Sequence, residues 1–450
     1  MSDILNFINN NIMWGPIMIV ALFGTHLFFT YKTGFVQKYV FKGVAKTFSR
    51  EENDKGDISV FGSLMTALSS TIGTGNIIGV GTAIVAGGPG AVFWTWIGGF
   101  FGIATKYAET LIAVKYRKKL DDGSYMGGTM TAFEHLGKKK LAVIFALCCS
   151  FGAFGIGCLS QGKAIADILN ENFHISTLVT AIALVLMTFA IVFGGIKSIG
   201  KVCERLVPFM SLVYIVGCVV VLCLNFKYLP ATVGIILSSA FSAKAVFGGM
   251  AGAGIMAAMR SGISRGLFSN EAGMGSSPQA SAAGSANNAV KPALVGSTGV
   301  FWDTIVVCLL TGLVLVSSVL GLGVSDLSSG AALVSACFNR IPVLGRPLLV
   351  FGILTFAYST ILGWSYYGEN TMKYLFGKKS INFYRILWLV MIFIGCVSTE
   401  GVIWTVADIM NASMCIPNMI ALWMLKDQIV KDTEHYLHSG NLDEEDSQMA

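Results

Sequence analysis

Two of the long apolar segments in this chain are interrupted by paired glycines, Gly73-Thr74-Gly75-Asn76 and, 200 residues later, Gly273-Met274-Gly275-Ser276. A glycine weakens a helix by roughly 1 kcal/mol, so two of them within three residues predict a break in the helix. At membrane depth the freed N–H and C=O groups are costly, and they are tolerated only where they line a protein-enclosed cavity. Matching breaks in the two halves of a chain therefore point to one cavity near the middle of a bilayer, with both breaks on its wall.

Composition places the chain in that setting. Hydrophobic residues make up 54% and charged residues 12%, with a mean hydropathy of +0.69, which is the balance of an all-α polytopic membrane protein. About eleven segments are long enough to cross a core of roughly 30 Å, near 12–30, 59–86, 91–116, 141–169, 175–195, 205–225, 262–287, 297–322, 347–374, 384–399 and 401–425. The net charge of +6 is dispersed over the loops between these spans, so it reads as topology and no nucleic acid is expected. Lys32, Lys38, Lys42, Lys46, Arg50 and Lys55 follow the first span, Lys115 to Lys119 and Lys138 to Lys140 the third, and Lys197, Lys201 and Arg205 the fifth. The positive-inside rule puts those loops in the cytoplasm, hence the N-terminus outside and the C-terminus inside a cell membrane. Ten cysteines, mostly within apolar segments, show no metal or disulfide spacing, and no cleavable signal precedes the first span.

Setting the first span aside leaves five plus five, each five opening on its Gly-x-Gly segment. An odd number of spans per half inverts the second half relative to the first, which is the inverted-repeat plan. The expected organisation is an extra N-terminal helix at 12–30, a first five-helix repeat at 59–225, an external or re-entrant connection at 226–261, a second repeat at 262–425 and a cytoplasmic tail at 426–450. The tail closes on Asp443-Glu444-Glu445-Asp446 and reads as a solvated, disordered end.

The first break would expose carbonyls near Ser69 to Ile72 and amides near Gly75 to Ile77, each half-helix end carrying about half a charge. Amides suit a carboxylate, and carbonyls with hydroxyls suit a hard cation or an ammonium group. One break can thus hold both ends of a zwitterion beside a cation. The other reading is close packing by small residues, with Asn76 as an interhelical donor. In the second break Asn270 is the candidate for substrate contact, and Glu271, an intramembrane acid, needs a partner, for which Arg265 or Arg260 is nearest in sequence. In the ninth span Ser359 and Thr360 are adjacent hydroxyls for an ion, although such groups often bond back to the preceding turn. Trp364 shares their face and could wall a small pocket. Gln161, with Lys163 and Asp167, faces the bundle interior as a secondary substrate candidate or as interhelical glue. Lys106 and Glu109 are spaced to pair, while Asp303 and Asp408 have no partner assignable from sequence. No catalytic set, metal-spaced cluster or phosphate loop stands out, so an enzyme is not expected and no cofactor is called for.

The stretch Gly73-Thr-Gly-Asn-Ile-Ile-Gly-Val-Gly-Thr-Ala-Ile-Val-Ala-Gly-Gly-Pro-Gly-Ala-Val-Phe-Trp94 resembles the alanine/glycine:cation symporter family. So do Ala104-Thr-Lys-Tyr-Ala-Glu109, Arg265-Gly-Leu-Phe-Ser-Asn-Glu-Ala-Gly-Met-Gly-Ser276 and Leu362-Gly-Trp-Ser-Tyr-Tyr-Gly-Glu369. The resemblance implies a leucine-transporter-type fold with one additional N-terminal span, and sodium- or proton-coupled uptake of a small neutral amino acid. It also implies a sodium site between the carbonyls of Ser69, Ile72 and Phe356 and the hydroxyls of Ser359 and Thr360. The amino acid would lie against Thr74, Gly75, Asn76, Gln161, Phe268, Asn270, Gly273 and Trp364.

The function expected is therefore a secondary symporter for alanine or glycine, working by alternating access. A symporter for another neutral amino acid such as glutamine is one alternative, and a cation channel using the same carbonyls and hydroxyls as a filter is another.

Overall fold

The computed structural model describes residues 7–48, 56–241, 254–324, 328–398 and 402–446. Arg50, Lys55 and residues 242–253 of the expected connection lie outside the described residues. Among the described residues the chain is all-α apart from a two-stranded hairpin, Lys118–Lys119 with Tyr125–Met126. Among the described residues, six helices are long and apolar enough to cross a membrane: Asn11–Lys32, Lys139–Phe173, Gly195–Leu224, Val290–Gly321, Gly345–Phe376 and Ser380–Val397. The remaining long elements are Gly90–Lys115, Thr177–Val192 and Val402–Met424, together with the two broken helices.

The breaks fall where the paired glycines stand. Helix Val60–Thr71 is capped by Ser59, whose Oγ accepts the Gly62 N–H at 2.8 Å. It stops at Ile72, where ψ turns to 91°, passes through a tight turn at Thr74–Asn76 and resumes as Ile78–Gly87. Helix Ile255–Asn270 stops at Glu271, which is left-handed with φ of 56°. Gly273 and Gly275 follow at φ of 105° and 71°, a conformation glycine adopts at no steric cost. The chain resumes as Pro278–Ala283, proline sitting where a helix needs no N–H. This segment opens at Ile255, earlier than the 262 read from sequence, because Met-Ala-Ala-Met-Arg are good helix formers and Arg260 is only partly buried.

The first broken helix lies so close to Gly345–Phe376 that a Cβ on Gly363 would come within 2.5 Å of Ser69 Oγ. Ser70 Oγ and the Tyr367 hydroxyl meet there at 2.9 Å. At the lysine-rich end the two broken helices are tied together. Ile58 pairs with Gly284 as a parallel bridge, and the Arg117 guanidinium donates to the carbonyls of Ala282, Gly284 and Ala286 at 3.2, 2.7 and 3.3 Å.

The tail expected to be disordered is instead docked across that end over residues 426–446. Asp443 accepts from Lys46 at 2.9 Å and from Lys291 at 3.1 Å. Asn288 Nδ2 donates to the carbonyls of Leu442 and Glu444, both at 2.8 Å, and Lys115 lies 2.8 Å from Asp432. An acidic tail finds here the cations that topology concentrates at one face. Hydrogen bonds from Lys46 and Lys291 hold the Asp443 carboxyl below the usual carboxylate range. A depressed carboxyl pKa contributes stability above its unfolded value, and that contribution is lost as pH falls through the folded value. Docking should therefore be constant near neutral pH and weaken only in acid. Asp443→Asn should release the tail at neutral pH, read as faster proteolysis after residue 432; an unchanged cleavage rate would show the two lysine contacts to be dispensable.

Candidate functional site

Ile72 is the last residue before the first break, and its carbonyl loses its helical partner. The amide that would take it in a continuous helix, Asn76 N–H, turns to Gly73 O at 3.2 Å. Ser359 Oγ and Thr360 Oγ1 each lie 3.4 Å from Ile72 O and 2.9 Å from Phe356 O. Each hydroxyl thus reaches two carbonyls with one hydrogen. The backward bond to the preceding turn and the approach to the break coexist, and together they gather four neutral oxygens. That set suits a hard, weakly charged cation. Four of the five expected cation ligands, Ile72, Phe356, Ser359 and Thr360, meet at this point. The fifth, Ser69, stands one turn earlier, its hydroxyl bonded to Thr66 O at 2.7 Å.

Beyond the oxygens, Thr74 N–H donates to Gln161 Oε1 at 3.4 Å. Gln161 is aimed by an irregularity in its own helix: Phe154–Leu159 is π-helical, and Gln161 Nε2 takes the Ile156 carbonyl at 2.9 Å. Trp364 is fully buried and packs on the same stretch, a Cβ on Gly157 coming within 2.4 Å of its Cβ. Phe268 closes on Gly75, 3.2 Å from where a Cβ would stand. Thr74 Oγ1 and Trp364 Nε1 are buried with no hydrogen-bond partner, a combination proteins rarely leave unfilled. A cavity of about 110 Å³ lies just past the break between Ile78, Val334 and Ile353, with Lys163 and Asp167, 2.5 Å apart, on its wall.

The second break is held from another side. Asn270 shapes it, Oδ1 accepting Ala272 N–H at 2.9 Å and Nδ2 donating to Thr304 at 3.0 Å, so its side chain is engaged by the protein itself. Gly273 does not join Thr74, Gly75 and Gln161: its N–H, with that of Gly275, donates to Glu109 Oε1 at 2.9 Å. Asn418 Nδ2 donates to the same oxygen at 2.5 Å and to Gly273 O at 2.9 Å. Lys106 pairs with Glu109 at 3.6 Å, as its spacing predicts, and donates to Glu271 O at 2.9 Å and Ser277 Oγ at 2.6 Å.

One reading from sequence proximity is corrected. Arg265 does not pair with Glu271; it forks onto Asp408 with both guanidinium nitrogens, which also supplies the partner Asp408 lacked. The nearest basic group to Glu271 is Lys106, and it meets the main chain. Asp303 is the buried acid whose partners cannot be assigned from sequence. Fully buried in the π-helical stretch Phe301–Cys308, it accepts Asn76 Nδ2 at 2.7 Å from the first break and Ser269 Oγ at 2.9 Å from the second. Cys308 stands beside it, its Sγ 3.3 Å from Asn76 Nδ2 and 3.4 Å from Ser269 Oγ, so the two side chains together link the breaks.

The profile of the sodium:alanine symporter family matches residues 1–449. The sodium/alanine symporter AgcS of Methanococcus maripaludis is 45% identical, covering 96% of this chain and 97% of that protein. The probable sodium/glutamine symporter GlnT of Bacillus subtilis is 32% identical, covering 95% and 89%. Among solved structures, MhsT in complex with L-phenylalanine superposes with a TM-score of 0.60 over 83% of this chain and 91% of that one, at 18% identity, a likeness of fold that agrees with the leucine-transporter-type architecture. With a family profile spanning all but its last residue and a relative aligned over nearly its whole length, this chain belongs to the sodium:alanine symporter family.

Proposed function

We propose that the protein is a sodium-coupled symporter for a small neutral amino acid, alanine or glycine first. The observation that carries this is the cluster of Ile72, Phe356, Ser359 and Thr360 oxygens, which joins the first broken helix to Gly345–Phe376. Sodium placed there, with Ser69 completing the set, braces the break. The substrate then lies against Thr74, Gly75, Asn76 and Gln161, its carboxylate at the opening of the second half-helix, and its small side chain lies between Phe268 and Trp364. The unpartnered Thr74 Oγ1 and Trp364 Nε1 support a polar ligand in this space. Asn270 and Gly273 act by shaping the second break. The walls of Trp364, Phe268 and the Gly157 contact argue for a small side chain, and glutamine is the next candidate.

In this reading the two five-helix repeats at 59–225 and 262–425 are inverted in the membrane, with the N-terminal helix added and the lysine-rich end cytoplasmic. The ties there, Arg117 to 282–286 and the docked tail, close the inner side, and the cavity beside Lys163 and Asp167 is the remnant of the outer path. One charge crossing about 100 mV supplies roughly 2.3 kcal/mol, about fiftyfold accumulation at 1.4 kcal/mol per decade.

Radiolabelled alanine uptake into proteoliposomes, with an inward sodium gradient and then a proton gradient at matched ionic strength, tests the proposal. Sodium-driven, saturable accumulation is expected, and Thr360→Val should raise the sodium requirement. Flux of sodium that is indifferent to any amino acid would replace this reading with the channel.

A further inference from the structure

The second break holds a carboxyl group that symport as described does not use. Glu271 is fully buried and stands at the left-handed C-cap of helix Ile255–Asn270. Its Oε2 accepts the Ser276 hydroxyl at 2.5 Å, and its Oε1 has no hydrogen-bond partner. The helix end it occupies is the negative pole of the helix dipole.

The one ammonium nearby is already committed. Lys106 donates to the Glu271 main-chain carbonyl and to Ser277 Oγ, and its charge lies 3.6 Å from Glu109 Oε2. Its charge is balanced by Glu109, whose other oxygen receives Gly273 N–H, Gly275 N–H and Asn418 Nδ2. Arg265 is held by Asp408. The remaining groups facing Glu271 bring no positive charge. Ser70 comes from helix Val60–Thr71, Tyr367 from Gly345–Phe376, Cys149 from Lys139–Ala153, and Asp303 adds a second acid. Asp303 is supplied with donors from Asn76, Ser269 and Thr304, whereas Glu271 is left with an empty oxygen. An ionised carboxylate with no cation, at membrane depth and at the negative end of a helix, is the arrangement the interior tolerates least.

We propose that Glu271 is a proton-binding site, its carboxyl group held as the neutral acid while the second break is closed and releasing that proton to water when the break opens. The O–H bond on Oε1 breaks on release, the electron pair stays on the carboxylate, and the proton leaves as hydronium. The left-handed backbone of Glu271, next to two positive-φ glycines, gives the segment the means to turn the carboxyl group between the dry interior and water. The site would make the resting charge of the break, and hence its readiness to open, depend on pH without altering the sodium ligands.

A pH-jump infrared difference spectrum of the full chain in lipid nanodiscs tests it. The wild type is expected to lose a protonated-carboxyl C=O band as pH rises. That band should be missing from Glu271→Gln and displaced in Glu271→Asp, both judged in monodisperse preparations. A wild type with no such band, or a band that persists unchanged in Glu271→Gln, overturns the proposal. Where the glutamine variant does not fold, an undisplaced band in Glu271→Asp overturns it equally. The readout needs no transport, so failure of alanine uptake would count against the symport reading alone.

Discussion

Alanine in place of Gly73 is expected to cut sodium-dependent uptake by one to two orders of magnitude in a protein that still inserts and purifies as a folded species. The backbone there, at φ of −136°, accepts any residue, so the effect is crowding. A Cβ would stand 2.5 Å from Thr360 Oγ1, on the edge of the four-oxygen cluster. Thr360 cannot swing away without giving up its bond to Phe356 O at 2.9 Å. Overpacking of this kind costs about 1–3 kcal/mol, roughly fivefold to a little over a hundredfold at 1.4 kcal/mol per decade, a range that brackets the expected loss, and here it falls on the spacing of ion ligands. Uptake measured against sodium concentration separates the cases. A large rise in half-saturating sodium is the expected signature, and an unaltered sodium curve would remove the ion from this position.

The second large effect is on stability. Glu109→Ala strips the acceptor from two buried backbone amides, Gly273 and Gly275, and from Asn418, and it leaves Lys106 without its acid. Removing one partner of a buried ion pair costs about 3–5 kcal/mol, enough to consume much of a domain's margin. Glu109→Gln should fall between, because an amide oxygen still accepts from the glycines while the ion pair is gone. Thermal unfolding followed by size-exclusion chromatography should rank wild type above glutamine and glutamine above alanine. Equal melting of all three would mean that the second break supports itself.

These two residues also mark what could be read from sequence and what could not. The breaks were legible because Gly-x-Gly inside an apolar run violates a local rule. The adjacent hydroxyls of Ser359 and Thr360 were legible for the same reason. Glu109 was read as the i,i+3 partner of Lys106, which it is, but its grip on Gly273 and Gly275 joins residues 164 and 166 positions apart, and no periodicity reports on that. The assignment of Arg265 to Glu271 failed for a related cause. Six residues of separation on a helix that ends between them place the two side chains on different sides of the break, and Arg265 finds Asp408 143 positions away. Asn418 carried no signal at all, since one amide in an apolar helix looks like any other. The charge of the tail by itself implies a solvated end, and the opposite charge that docks it, Lys46, Lys115 and Lys291, comes from distant parts of the chain.

Two of the π-helical stretches, Phe154–Leu159 and Phe301–Cys308, bear on how relatives of this protein can vary. A π turn lodges one extra residue in an otherwise regular helix, and each residue advances a helix by roughly 100° at 3.6 residues per turn. Deleting a single residue from the first stretch would leave Gln161 in the sequence and in the membrane yet rotate it off Thr74 relative to everything before it. The same deletion in the second would turn Asp303 away from one of the two breaks it joins. A relative with a regular helix at either place can align here only across a one-residue gap, and the matching letters on either side of that gap would no longer occupy matching places. Chain length at these two points is thus under the same constraint as residue identity.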